Sequence, residues 1–161
     1  MAGYTIRTLD EVPDAFGGQY PGMMRFLTGP LEAEQVAITH RHMPPGAGGK
    51  GGYGHRHKTQ EEIYFVVSGR LQFKLDEDVL DVEGGSAVRV APEVVRSVWN
   101  EGPHDAQVLI FSLRVANVDE DAEIIENFWP EYGPVARSRE RSGETCVAWR
   151  EAGPKAAAST R

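Results

Sequence analysis

Two histidines one residue apart, His55 and His57, are followed by a carboxylate, Glu62, and then by the apolar run Ile63-Tyr64-Phe65-Val66-Val67. Successive side chains of a β-strand point to opposite faces, so on an extended segment both imidazoles share one face. Imidazole nitrogens beside a carboxylate suit a divalent transition metal. Two histidines and one carboxylate also leave coordination positions open for water or a substrate.

Such a cluster needs rigid elements to hold it. Short β-type runs dominate the chain, at 4–8, 23–28, 35–43, 61–68, 70–75, 79–82, 86–91, 95–100 and 106–115. Glycine, proline, aspartate and asparagine mark the turns between them. Leu71, Phe73 and Leu75 alternate with Gln72 and Lys74, which predicts a strand with one buried face. The run from Ile63 to Val67 is apolar on both faces, as in a strand between two layers. Many short strands with regular turns predict an all-β sandwich or barrel. One helix is expected near the end: Asp119 caps it, Glu120, Asp121 and Glu123 complement its dipole, Ile124, Ile125 and Phe128 form its apolar stripe, and Pro130 stops it. The last ten residues, from Ala152 to Arg161, lack core-forming groups and are expected to be disordered.

The 161 residues amount to one domain with a sizeable core. A net charge of −7 argues against a nucleic-acid partner. No apolar run approaches the roughly 20 residues of a membrane span, and the N-terminus lacks the basic-then-apolar layout of a signal peptide. The single cysteine, Cys146, cannot form an intrachain disulfide. Together these features predict a cytoplasmic protein without membrane partners. Gly46-x-Gly48-x-x-Gly51 has the glycine spacing of a dinucleotide loop, but Pro44-Pro45 precede it and a histidine strand follows, so the context is wrong for phosphate.

Gly49, His55, His57, Glu62 and Gly69 fill every fixed position of the first motif of the cupin family, and this segment resembles that family. Glu62 rather than Glu61 is the ligand in that register. The second cupin motif is degraded. Gly85 and Asn100 keep their places, but Pro92 is displaced by one position, Glu93 replaces a glycine, and Arg96 stands where the family has its third histidine ligand. The resemblance, to the small single-domain cupins, implies a small antiparallel β-barrel (a double-stranded β-helix or jelly roll) with a short C-terminal helix. The resulting division is N-terminal strands over 1–34, a barrel core over 35–116, a C-terminal helix and cap over 117–135, and a tail over 136–161. It also implies a homodimer, which would cover the apolar outer positions Ile63, Phe65 and Val67.

Arginine has no lone pair to give a metal. At roughly 6 Å and an effective dielectric of about 20, an inward guanidinium repels a divalent ion by on the order of 5 kcal/mol. Either a three-ligand site holds the metal with Arg96 binding an anionic substrate beside it, or Arg96 pairs with Glu62 without metal, or Arg96 lies exposed at a strand edge. Tyr64 shares parity with Glu62 and is, with Arg96, a candidate catalytic and substrate-binding group. His40 and His42 are in phase with Val36 and Ile38; they either face inward, where either could supply a missing ligand or a general base and His42 would contact substrate, or sit at a solvated strand end. Three functions remain open. One is an enzyme (dioxygenase, isomerase or lyase) using Fe, Mn, Ni or Zn held by His55, His57 and Glu62 on a small oxygenated or carboxylated ligand. The second is a metal-free binding module for a small anion, and the third is a metal-free enzyme using Glu62, Tyr64 and Arg96.

Overall fold

A computed structural model describes residues 3–130. The expectations for Cys146, for residues 131–135 of the cap and for the tail lie outside the described residues. Among the described residues ten strands run antiparallel in two sheets: β1 (Met23–Phe26), β2 (Val36–Met43), β3 (Gly52–His57), β4 (Glu62–Ser68), β5 (Arg70–Leu75), β6 (Asp78–Glu83), β7 (Ala87–Val90), β8 (Arg96–Trp99), β9 (Ala106–Leu113) and β10 (Ala122–Trp129). The first sheet has the order β1-β2-β9-β4-β7 and the second the order β10-β3-β8-β5-β6. With the short helix described below, this is the small all-β barrel expected from the alternating runs. No helix among the described residues is long and apolar enough to cross a membrane.

The inner faces meet around Met43, Tyr64, Val66, Leu71, Phe73, Val98 and Val108. Register decides which side of each strand faces them. Glu62, Tyr64 and Val66 pair with Ser112, Ile110 and Val108, and those three lie opposite Ala37, Thr39 and Arg41. The inner face of β2 therefore carries Thr39, Arg41 and Met43. His40 and His42 fall on the outer face, which corrects the inward reading of their parity: the fully buried Met43 sets the phase of the strand, not the apolar residues at its start. Ile63, Phe65 and Val67 are exposed on the outer face of the same sheet.

Two expected elements are different. Residues 4–8 form no strand; Tyr4 and Ile6 are both 75% exposed, so the segment buries no apolar face, and a 3-10 turn follows at Leu9–Glu11. The N-terminal region thus holds one strand, β1. The predicted helix is a single turn, Val118–Asp121, capped by the Asn117 side chain, which accepts from the Asp119 amide, so Asn117 and not Asp119 is the cap. Ile124, Ile125 and Phe128 then belong to β10, which pairs with the histidine strand from Ala122↔His57 to Trp129↔Gly52 with an irregularity between Ile125 and Trp129. Tertiary pairing overrides the helical pattern here.

The motif positions have local causes. Asn100 is fully buried; its amide nitrogen donates to the carbonyls of Met43 and His104, and its oxygen accepts from the Gly102 amide, which clamps the end of β8 to the end of β2. A Cβ on Gly49 would lie 2.0 Å from the Ser97 hydroxyl oxygen. Gly69 has φ +76, and a Cβ there would meet the Asp105 carbonyl oxygen at 2.6 Å and the Ala106 Cα at 2.8 Å, whereas Gly85, at φ +86, has nothing within 4 Å. Gly85→Ala is therefore expected to cost about 1 kcal/mol, from left-handed backbone alone. Gly69→Ala is expected to cost roughly 3 kcal/mol or more, because backbone must also move. Urea unfolding of the two variants checks the order; equal losses would contradict it.

Candidate functional site

Both sheets contribute to one buried cluster. The second sheet supplies His55 and His57 from β3 and Arg96 from β8, with His55 and Arg96 directly paired across the strands. The first supplies Glu62 and Tyr64 from β4. The imidazoles share a face because β3 is extended, as the spacing predicts. Ligand atoms of His55, His57 and Glu62 lie within 4.8 Å of one another.

Glu62 is the centre of the cluster. Its Oε2 accepts from the Tyr64 hydroxyl at 2.6 Å and from Arg96 Nε at 2.9 Å. His57 Nε2 stands 3.5 Å from Oε1, and His55 Nε2 stands 3.6 Å from Oε2. Burial works to raise the Glu62 pKa, but contacts with His55 and His57 and the Arg96 charge outweigh it and hold the carboxyl well below its ordinary 4.5. Burial pushes Tyr64 well above its ordinary 10.0, reinforced by the Glu62 charge, so the phenol keeps its proton. Edge-on packing against Phe73, with centroids 5.4 Å apart, holds the Tyr64 ring.

Arg96 points inward and is fully buried, so the exposed placement is ruled out. Its Nε is used on Glu62 and its Nη1 donates to the carbonyls of Pro92 and Val94, both at 3.0 Å. Its Nη2 is out of solvent without a hydrogen-bond partner.

His57 is oriented by a residue that spacing did not reveal. Its Nδ1 lies 3.0 Å from an Asp121 carboxylate oxygen. Asp121 also accepts from the Thr59 amide and hydroxyl and the Gln60 amide. Burial alone would raise the Asp121 pKa, but the Thr59 and Gln60 hydrogen bonds and the His57 contact lower it below its ordinary 3.8. An ionised Asp121 keeps the proton on Nδ1 and leaves the Nε2 lone pair aimed at the cluster. In the sequence Asp121 stands among acidic residues that suit a helix N-terminus. Its separation from His57 by 64 positions left no local signal.

The donor set can be tested against a metal. His57 Nε2 is buried and has no hydrogen-bond partner, yet it faces a carboxylate oxygen 3.5 Å away. Two acceptors confronting each other out of water need a cation between them, either a proton on the ring or a metal ion. Ligands about 2.1 Å from a tetrahedral ion stand about 3.4 Å apart, close to the two histidine–glutamate separations. Burial pushes the His55 pKa below its ordinary 6.5, so that ring is neutral at neutral pH, the form a metal requires. The residues fit a divalent ion, with the Arg96 charge beside it.

The other candidates lie elsewhere. His42 Nε2 is 2.8 Å from Asp105 at a partly exposed strand end, and His40 Nε2 is 3.1 Å from the Gln107 side-chain oxygen; neither belongs to the cluster.

Acid should destabilise the fold in two stages. Unfolded His55 takes up a proton near 6.5 while the folded ring resists it, so stability falls as pH drops below about 6.5. The contributions of Glu62 and Asp121 are complete above 4.5 and 3.8 respectively, and are lost as pH falls through their lowered folded values. Chemical unfolding from pH 8 to pH 3 checks this. A flat profile between pH 7 and pH 5 would contradict the buried neutral imidazole.

Comparison with known proteins agrees with this architecture. Residues 39–112 match the family described as a cupin domain. The chain is 32% identical over 72 residues to an uncharacterized protein of Methanocaldococcus jannaschii; the match covers 45% of this chain and 57% of that relative. Among solved structures it is similar to a cupin protein of Bacteroides fragilis, at 22% identity and TM-score 0.56, covering 73% of this chain and 90% of that one. It is also similar to a cupin 2 conserved barrel domain protein of Salinispora arenicola, at 19% identity and TM-score 0.55, with coverage of 71% and 92%. A third is a Thermotoga maritima protein described as a predicted oxalate decarboxylase, at 20% identity and TM-score 0.50, with coverage of 58% and 81%.

Proposed function

Starting from a chain that is a small cupin-domain protein, we propose that it is a metal-dependent enzyme acting on a small carboxylated metabolite. The observation that carries the reading is the buried His57 Nε2 without a hydrogen-bond partner, facing Glu62 beside His55. His55, His57 and Glu62 would hold Fe, Mn, Ni or Zn. When bound, such an ion supplies a Lewis acid and open positions for oxygen-donor ligands.

The chain's own groups then have separate tasks. Arg96 Nη2 binds a substrate carboxylate as a charge-assisted donor. Arg96 Nε and the Tyr64 hydroxyl fix one oxygen of Glu62 and leave the other toward His57. Tyr64 keeps its proton and acts on Glu62 as a donor, not as a base. Asp121 holds the His57 tautomer. The Thermotoga maritima neighbour, described as a predicted oxalate decarboxylase, is consistent with a carboxylated substrate. A second reading, a metal-free barrel that binds a small anion, is favoured by the direct Arg96–Glu62 pair. Metal analysis of protein purified without chelator, followed by Fe, Mn, Ni and Zn titrations, separates the two. His57→Ala should abolish uptake; equal uptake by variant and parent would remove the metal reading.

Arg96→His should strengthen metal binding about tenfold or more, equivalent to about 1.4 kcal/mol. It removes a repulsive charge and adds a neutral nitrogen donor. The same change should weaken carboxylate binding, because imidazole lacks the permanent charge and the free Nη2 donor of the guanidinium. Calorimetric titration with metal and with small carboxylates reads both effects. Unchanged affinities would withdraw both roles of Arg96.

The reading includes a second copy of the chain as cover for the outer face that bears Ile63, Phe65 and Val67. Light scattering is expected to give a dimer mass. A monomer across the micromolar range would remove this part.

A further inference from the structure

A second guanidinium, that of Arg41, stands on the inner wall and has no part in the scheme above. Register places it there: Arg41 lies opposite Val108 on β9 and opposite Met24 on β1, both buried. Its Nε is out of solvent and has no hydrogen-bond partner. Among the described residues no carboxylate pairs with it. What faces it instead is uncharged. The Phe16 ring centroid is 5.6 Å from the guanidinium carbon, and the Tyr53 and Tyr64 hydroxyls are within electrostatic range.

Arg41 is half-buried with its Nε out of solvent, and a partly desolvated cation without a counter-charge is costly enough that proteins commonly pair such groups. Arginine does not neutralise at any ordinary pH. Within the barrel Glu62 offsets Arg96, and Arg41 is left uncompensated. Tyr64 donates to the same Glu62 oxygen that accepts from Arg96, and register puts Tyr64 and Arg41 on the same inner face of the first sheet. Tyr53 lies in phase with His55 and His57 on β3, so it belongs to the same wall as the imidazoles.

We propose that Arg41 binds the second acidic group of a doubly acidic substrate, so that the ligand class is a small dicarboxylate. One carboxylate meets Arg96 Nη2 beside the histidines, and the other meets Arg41 near the tyrosine hydroxyls. This rests on the reading of Arg96 as an anion anchor. It adds the counter-charge that the half-buried Arg41 lacks among the described residues.

The test is calorimetric titration of the full chain with propionate and lactate as monocarboxylates and with malonate and succinate as dicarboxylates. Arg41→Met is expected to weaken the better dicarboxylate at least tenfold while leaving the monocarboxylates within about twofold. Arg96→Lys, which keeps a cation for Glu62, is expected to weaken both classes. Thermal melting without ligand gives an independent reading. Removing an uncompensated cation should leave the melting temperature of Arg41→Met equal to the parent's or higher, whereas a purely structural arginine would lower it. Parent-like dicarboxylate binding by Arg41→Met overturns the proposal and leaves the Arg96 anchor standing, provided Arg96→Lys still weakens both classes. Unchanged binding by Arg96→Lys, or no carboxylate binding by the parent at millimolar concentration, overturns the anchor and this proposal together. Metal uptake measured in parallel judges the histidine site separately.

Discussion

The Glu62 carboxylate ties the two sheets of this barrel together at the place where its chemistry is concentrated. It sits on β4 of one sheet, and the guanidinium that pairs with it sits on β8 of the other. Taking both charges out of water is expensive, and their attraction repays that only when the remaining hydrogen-bonding groups are also satisfied. The structure meets most of that demand. Tyr64 supplies a second donor to the carboxylate, and the Pro92 and Val94 carbonyls absorb one arm of Arg96. Losing one member of such a buried pair typically costs about 3–5 kcal/mol, because the other charge is stranded. The pair thus constrains sheet spacing, the rotamer of Tyr64 and the loop from Pro92 to Val94 at once.

Replacing a ligand by an arginine changes more than the number of donors. A histidine at position 96 would offer a lone pair to a cation, whereas the guanidinium offers only donors and a permanent positive charge. Under the proposed reading, the centre of the barrel is consequently shifted toward anions. The shift is local, since the chain as a whole carries a net charge of −7. An acidic surface around a cationic interior leaves little of the long-range field that would steer a small anion inward, and selection falls to short-range contacts inside the barrel.

Much of this was legible in the residues. The period of two on β3 and the spacing to Glu62 were enough to bring His55, His57 and Glu62 together, because strand geometry leaves few alternatives over so short a segment. The direction of Arg96 was not legible, since it depends on a partner 34 positions away in the other sheet. Asp121 was invisible for the same reason, and its acidic neighbours supported a helix that ends after one turn. Ile124, Ile125 and Phe128 satisfy a helical stripe, and only the need of β3 for a partner strand decides against it. Arg41 was hidden by a phase error. Two histidines drew attention to one face of β2, while the packing of Met43 turned the other face inward.

β10 has a consequence for how this architecture can be inherited. The residues that match the cupin family end at 112, yet the carboxylate that orients His57 is at position 121 and the main partner of the histidine strand begins at 122. From the β8 side, β3 is held at a single register position, His55↔Arg96. The recognisable module is therefore chemically incomplete without the segment that follows it. A recombination event that moved only the matching region into another gene would carry His55, His57 and Glu62 along and lose what aims His57. A lineage could also retune the centre without altering any of those three residues, by drift in a stretch that family patterns do not cover.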